Sequence, residues 1–191
     1  MTPASPVLHF LAKRQLENNI LVFQPENEIA VINMALGASF AGAKVMIGTS
    51  GGGFALMTEA VSLAGMAELP LVIYLGQRTA PSTGVPTYTG QGDLKFALNA
   101  GHGEFPKIVA APGDPQESIV RTQEAFYLSC KYRTPAIVLG DKHLGESSYT
   151  FDQLEKSILL PLSKPVFRAN SYEHRPDGHA TEDPQWIVKM N

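Results

Sequence analysis

The chain has 191 residues, of which 44% are apolar, and a net charge of −3 at pH 7. That length suits one domain with a full core, and the small charge, with no Lys/Arg run longer than two residues, argues against a nucleic-acid groove or a membrane-surface patch. No apolar run approaches the roughly 20 residues of a spanning helix, and the opening Met1-Thr2-Pro3-Ala4-Ser5-Pro6 is not a signal peptide, so the cytoplasm is the expected compartment. The single cysteine, Cys130, has no internal disulfide partner and cannot hold an iron–sulfur cluster alone; it reads as a small residue in a helix.

In chain order, a helix is expected at 5–18, a strand at 20–23, a helix at 28–43 and a strand at 45–48. A helix at 54–67, a strand at 71–75, a helix at 92–100, a strand at 107–110, a helix at 115–131 and a strand at 136–139 follow. The strand candidates show little polar alternation, the mark of strands covered on both faces. Short strands alternating with helices predict an α/β fold: a doubly wound, mostly parallel sheet with helices on both faces. Gly51-Gly52-Gly53, Glu68-Leu69-Pro70 and Pro112-Gly113-Asp114-Pro115 supply turn signals at the boundaries. Residues 1–160 read as this domain without its first strand, since a helix begins almost at Met1. The proline-containing polar stretch at 161–191 reads as an extended arm or linker toward a further domain.

Three segments could carry chemistry. Glu28 opens a helix whose body, Ile29 to Ala43, is apolar on nearly every face, so that helix should be buried. Glu28 is either an ordinary first-turn acid favoured by the helix dipole or a partly buried carboxylate able to exchange a proton with a ligand nitrogen. Glu26 competes with it and should be more exposed. Gly48-Thr49-Ser50-Gly51-Gly52-Gly53-Phe54 is a strand-to-helix turn whose glycines allow close backbone approach. It has neither a Lys-Ser/Thr ending nor a G-x-G-x-x-G register. Gln77 to Thr87 follows the third covered strand and is rich in Gly, Pro and hydroxyls. Its Arg78 is either a surface cation or a bidentate partner for a carboxylate. His102 lies in a further loop, and His9, His143, His174 and His179 have no metal-ligand spacing. No G-x-S-x-G elbow, H-E-x-x-H motif or cysteine cluster is present, so catalysis here calls for a cofactor and a second polypeptide.

Taken in order, Gln24-Pro25-Glu26-Asn27-Glu28, Gly37-Ala38-Ser39-Phe40-Ala41-Gly42-Ala43, Thr49-Ser50-Gly51-Gly52-Gly53-Phe54, Met57-Thr58-Glu59-Ala60 and Ala64-Gly65-Met66 form one pattern. Pro81-Ser82-Thr83-Gly84-Val85-Pro86-Thr87, Gln91-Gly92-Asp93-Leu94 and Gly101-His102-Gly103 continue it. Across nearly the whole chain this pattern resembles the pyrimidine-binding domain of thiamine-diphosphate enzymes, and more closely the α subunit of 2-oxoacid:ferredoxin oxidoreductases. Two positions depart from it: Gly52 stands where many relatives have proline, and Gly90 where a larger residue is expected.

The resemblance implies oxidative decarboxylation of a 2-oxoacid, of the 2-oxoglutarate or pyruvate class, to acyl-CoA, with electrons passed to ferredoxin. It casts Glu28 as the glutamate that hydrogen-bonds the aminopyrimidine ring of the cofactor, with Thr49, Ser50, Gly51 and Phe54 on the cofactor side. Thr2-Pro3 matches the end of a Tyr-Pro-Met/Ile-Thr-Pro motif. Thr2, Arg78, Ser82 and Thr83 are then the substrate side. No Gly-Asp-Gly…Asn element is present, so a β subunit is expected to hold the diphosphate and its Mg²⁺, with iron–sulfur clusters on partner subunits and γ/δ subunits as further partners. The alternative is a shortened, non-catalytic assembly or remnant domain of the same fold. A flavodoxin-like nucleotide domain shares the fold but not the phosphate fingerprints.

Overall fold

In the central segments Val, Ile and Leu run almost without interruption, and these segments pair as a four-stranded parallel sheet. The computed structural model describes residues 2–150, so the expected arm at 161–191 lies outside the described residues. The strands are β1 (Met46–Ser50), β2 (Leu71–Gln77), β3 (Ile108–Ala110) and β4 (Pro135–Asp141), in the order β1-β2-β4-β3. The helices are α1 (Ser5–Ala12), α2 (Glu28–Phe40), α3 (Gly51–Met66), α4 (Leu94–Asn99), α5 (Pro115–Tyr132) and α6 (Lys142–Glu146). Among the described residues no helix is long and apolar enough to cross a membrane.

The two central strands, β2 and β4, are buried along almost their full length. Side chains alternate between the faces, and two cores result. On one face Ile73, Leu75, Ile137 and Leu139 pack with Ile32, Leu36, Phe54, Met57 and Val61 of α2 and α3. On the other, Val72, Ala136 and Val138 pack with Ala125 of α5 and with partly buried Tyr74 and Phe126. The expected α/β class with helices on both faces is what the structure shows.

Local chemistry sets the helix ends. Asn27 Oδ1 accepts from Ala30 N at 2.9 Å and starts α2. Asp114 Oδ1 accepts from Glu117 N at 2.8 Å, with Pro115 in the first turn, and starts α5. Gly42, at φ 94°, closes α2 at Phe40, because Gly42 N and Ala43 N turn back to Ser39 O and Ala38 O. That places the end of α2 short of the expected residue 43.

Three further expectations need correction. Residues 20–23 form no strand: Ile20, Leu21 and Phe23 are exposed and the segment joins no ladder. Four apolar residues in a row fit an extended connection as well as a covered strand. The first helix stops at Ala12, and turns occupy residues 13–19 up to Asn19, which has a positive φ. The α2 helix is not buried all round: Ile32, Ala35, Leu36 and Ser39 face the core, whereas Ile29, Met34 and Phe40 are half exposed.

The residues ahead of α1 rest against β1 and β2, where Gly48 and Gly76 leave room for them. A Cβ on Gly76 would lie 2.8 Å from Pro3 Cγ, and one on Gly48 would touch Ala4 Cβ at 3.4 Å. Near the opposite end of the sheet, buried Ser129 of α5 ties two backbone groups together. Its Oγ accepts from Leu71 N at 3.0 Å and donates to Thr134 O at 2.7 Å.

Ser129→Ala strands the buried Leu71 N–H and should lower stability by about 1–3 kcal/mol, read by urea denaturation. Gly76→Ala overpacks the seat of Pro3; a loss of about 1–3 kcal/mol is expected, with faster limited proteolysis near the amino terminus.

Candidate functional site

A cleft of about 230 Å³ opens at the carboxyl ends of β1 and β2, the edge where open α/β sheets bind ligands. Gly51, Gly52 and Ala55 from the start of α3 line it, with Arg78, Thr79, Ala80 and Ser82 from the segment after β2, and Asp93 and Phe96 at α4. In the β1–β2 register Ser50 pairs with Gly76. Residues emerging from the two strands therefore leave the sheet side by side.

From β1, Thr49 and Ser50 are buried, and the Thr49 hydroxyl donates to Ser50 O at 3.3 Å. Ser50 is the N-cap residue of α3, yet its Oγ is buried with no hydrogen-bond partner among the described residues. Gly51, Gly52 and Gly53 form the first turn of α3 itself, not a turn ahead of it as expected. Their N–H groups belong to the unpaired amino end of a 16-residue helix. Gly51 is also a place of close approach: a Cβ there would sit 2.9 Å from Asp93 Oδ2. Phe54 is fully buried beneath the cleft, edge-on to Phe96 with ring centroids 5.1 Å apart.

From β2, buried Gln77 accepts from Asp93 N through Oε1 at 3.0 Å, fixing the start of α4 against the strand end. Arg78 Nη1 donates to Thr2 O at 2.9 Å. The loop that follows folds back on itself: Thr79 N donates to Tyr88 O, Val85 N to Thr79 O, and Thr79 Oγ1 to Thr89 O. Gly84 has φ 55°, and a Cβ on it would run into the Thr79 carbonyl. Ser82, also at positive φ, lines the cleft, whereas Thr83 is exposed and does not line it. Gln91 Nε2 donates to Asp141 Oδ2 at 2.8 Å and anchors the loop to β4. Burial pushes the Asp141 carboxyl up, but hydrogen bonds from Leu144 N–H, Gln91 and Thr89 outweigh it and hold the group below the usual carboxylate range.

Glu28 sits at the same edge of the sheet but not among the residues lining this cleft. At the far end of α2, Ser39 Oγ donates to Pro70 O at 2.6 Å, beside the start of β2. Eleven residues of α-helix rise about 16 Å, which carries Glu28 to the carboxyl edge. Ile32, Ala35 and Ser39 lie at i+4, i+7 and i+11 from it, so Glu28, the first residue of α2, heads the core-facing stripe. It is half buried there, whereas Glu26 is exposed, as expected.

The structure thus brings Thr2, Arg78, Ser82 and Gly51 together, buries Thr49, Ser50 and Phe54 beneath them, and leaves Thr83 outside. His102 lies in its own loop, where its N–H donates to Ser62 Oγ at 2.8 Å. Among the described residues no group of three or more His, Cys, Asp and Glu could hold a metal ion. The sequence alone assigns no role to Asp93, Gln77 or Phe96. Burial raises the carboxyl pKa of Asp93.

A family model described as "Pyruvate flavodoxin/ferredoxin oxidoreductase, thiamine diP-bdg" matches residues 1–190. The α subunit of a 2-oxoacid:ferredoxin oxidoreductase from Saccharolobus solfataricus is 52% identical over 131 residues, covering 69% of this chain and 21% of that protein. A 2-oxoglutarate synthase subunit from Archaeoglobus fulgidus is 38% identical over 175 residues, covering 92% of this chain and 48% of its own length. The solved 2-oxoglutarate:ferredoxin oxidoreductase from Magnetococcus marinus, with 2-oxoglutarate, coenzyme A and succinyl-CoA bound, superposes with a TM-score of 0.83 at 36% identity. That superposition covers 93% of this chain and 32% of the other. The chain therefore spans between about a fifth and a half of the length of these relatives. On the match over 190 residues and the shared fold, the chain belongs to the thiamine-diphosphate-binding family of pyruvate flavodoxin/ferredoxin oxidoreductases.

Proposed function

We propose that this chain is the pyrimidine-side domain of a 2-oxoacid:ferredoxin oxidoreductase α subunit, active in a complex with a β subunit. The observation that carries the reading is the cleft at the ends of β1 and β2, in which Arg78 is held by Thr2 O beside the open amino end of α3. A guanidinium and unpaired helix N–H groups favour an anion, and a 2-oxoacid carboxylate fits that pairing.

The residues also suit the aminopyrimidine end of thiamine diphosphate. Glu28 offers a half-buried carboxylate at the sheet edge, and the buried Ser50 Oγ lacks a partner among the described residues. When bound, thiamine diphosphate supplies the nucleophilic carbon and the electron sink for decarboxylation. In this reading Glu28 holds a proton on the cofactor ring nitrogen. Arg78 orients the substrate carboxylate, Thr2 and Ser82 offer hydroxyls beside it, and Thr83 sits at the rim. Thr49, Gly51 and Phe54 shape the wall behind the cofactor. The diphosphate with its Mg²⁺ and the iron–sulfur cluster belong to partner subunits. Coenzyme A takes the acyl group and ferredoxin the electrons, in the cytoplasm.

Two variants test the assignment in the chain co-expressed with its β subunit, by 2-oxoacid-dependent viologen reduction. Glu28→Gln should lower kcat by about 10²-fold or more, and full activity would remove Glu28 from its role. Arg78→Ala should lower kcat/KM by roughly 10–100-fold, the worth of a charge-assisted hydrogen bond, mainly through KM.

A further inference from the structure

We infer that Asp93 is a further ligand-contacting residue of this cleft, donating a hydrogen bond from its carboxylic acid to an oxygen of the anion held by Arg78. The inference rests on the proposal that the cleft takes a 2-oxoacid carboxylate. Asp93 is 8% exposed and lines the cleft. Its backbone N–H is taken by Gln77, but no hydrogen bond to its carboxylate is found among the described residues. Asp93 is the N-cap residue of α4, but its side chain does no capping: Asn27, Asp114 and Asp141 each accept a backbone N–H at the start of α2, α5 and α6, and the Asp93 carboxylate accepts none at α4. A buried carboxyl without a partner is costly unless a ligand satisfies it or it takes a proton.

The surroundings decide which form meets the anion. The strand β2 and the loop after it bring Arg78 to the cleft, and α3 brings no charged side chain, only Gly51, Gly52, Ala55 and the N–H groups of its amino end, for which an incoming carboxylate and an ionised Asp93 would compete. Lys95, near Asp93 on α4, is exposed and does not line the cleft. Gln77 and Phe96 are neutral. Arg78 is therefore the other ionisable group among the described lining residues, and one of its N–H groups is spent on Thr2 O. An ionised Asp93 would repel an incoming carboxylate, whereas the protonated acid supplies the donor the anion needs. Burial already shifts this carboxyl toward its protonated form. Anion binding must then take up a proton, and affinity must fall as pH rises above the pKa of the free site.

The test uses the thiamine-loaded complex with its β subunit. Oxamate and N-oxalylglycine, unreactive mimics of pyruvate and 2-oxoglutarate, are titrated calorimetrically between pH 5.5 and 8 in two buffers of different ionisation enthalpy. The expected result is net proton uptake for the mimic that binds. Its Kd should rise with pH, by up to roughly tenfold per unit where one proton is linked. Asp93→Asn should abolish both the uptake and the slope and bind more tightly than the wild type at pH 8. Proton release, an affinity independent of pH in the wild type, or the same slope in Asp93→Asn would overturn the inference. Should Asp93→Asn fail to fold, the two-buffer comparison on the wild type still decides. If neither mimic binds, or Arg78→Ala binds as tightly as the wild type, the proposed function falls first and the inference with it. Arg78-dependent binding without proton uptake removes the inference alone.

Discussion

The parallel pairing of β1 with β2, with Ser50 beside Gly76, is the constraint on which the site depends. One step past that pair, β1 becomes the first turn of α3 and β2 ends at Gln77. The open amino end of a long helix and the Arg78 guanidinium therefore emerge at the same level. A shift of one residue in this register would turn the face of every side chain on β1 and separate the two groups by a residue length. Cores on both faces resist such a shift, because Ile73 and Val72, adjacent in sequence, belong to different cores. The cleft is thus a consequence of strand register, held by hydrophobic burial well below it.

Close approach is the second requirement, and glycine meets it repeatedly. Gly76 admits Pro3, Gly51 admits the Asp93 carboxylate, and a Cβ on Gly90 would lie 2.9 Å from the carbonyl carbon of Arg78. Each contact brings a separate stretch of chain onto the ends of the sheet: the segment before α1, the start of α4, and the return of the 79–90 loop. Gly52 differs, since a Cβ there meets nothing closer than Ser82 O at 4.0 Å. The close approach accounts for glycine at position 90, whereas nothing in the structure requires glycine at position 52. A larger side chain at position 52 fits without rearrangement, whereas position 90 in this chain is closed to one.

Much of the fold was legible because its strongest signals are local. The covered strands β2 and β4 announce themselves as unbroken apolar runs, and Asn27 and Asp114 mark helix starts by the bond each makes. The failures have a physical pattern too. Residues 20–23 have the composition of a strand, but pairing depends on a neighbour that composition does not contain. The glycines at 51–53 look like a turn, yet they form the first turn of α3, where Gly51 admits the Asp93 carboxylate. In the site, Arg78 could be singled out as the fixed cation of a Gly- and Pro-rich loop. Asp93 could not, because what distinguishes it is the lack of a partner, and that is a property of packing. The neighbouring Gln91-Gly92-Asp93-Leu94 pattern was visible, but nothing in it separates a buried acid from a solvated one.

The helix α2 shows why the site reads as one wall of a larger one. Its buried stripe, Ile32, Ala35, Leu36 and Ser39, accounts for one side. Ile29, Met34 and Phe40 outside that stripe, with Leu56, Leu63 and Met66 on α3, are partly exposed. Exposed apolar surface forgoes about 25 cal/mol per Å², so apolar residues left outside a helix's buried stripe are ordinarily a sign of further cover. Glu28 stands at the head of this helix, in line with the covered stripe. Under the proposed function that position has a reason. A carboxylate that must hold a proton on a cofactor ring needs a low-dielectric surround, and the covered half of α2 supplies only part of it. Arg78 and Asp93 have their setting within the described residues, between β2, α3 and α4. Glu28, by contrast, heads a helix that keeps apolar residues exposed outside its buried stripe.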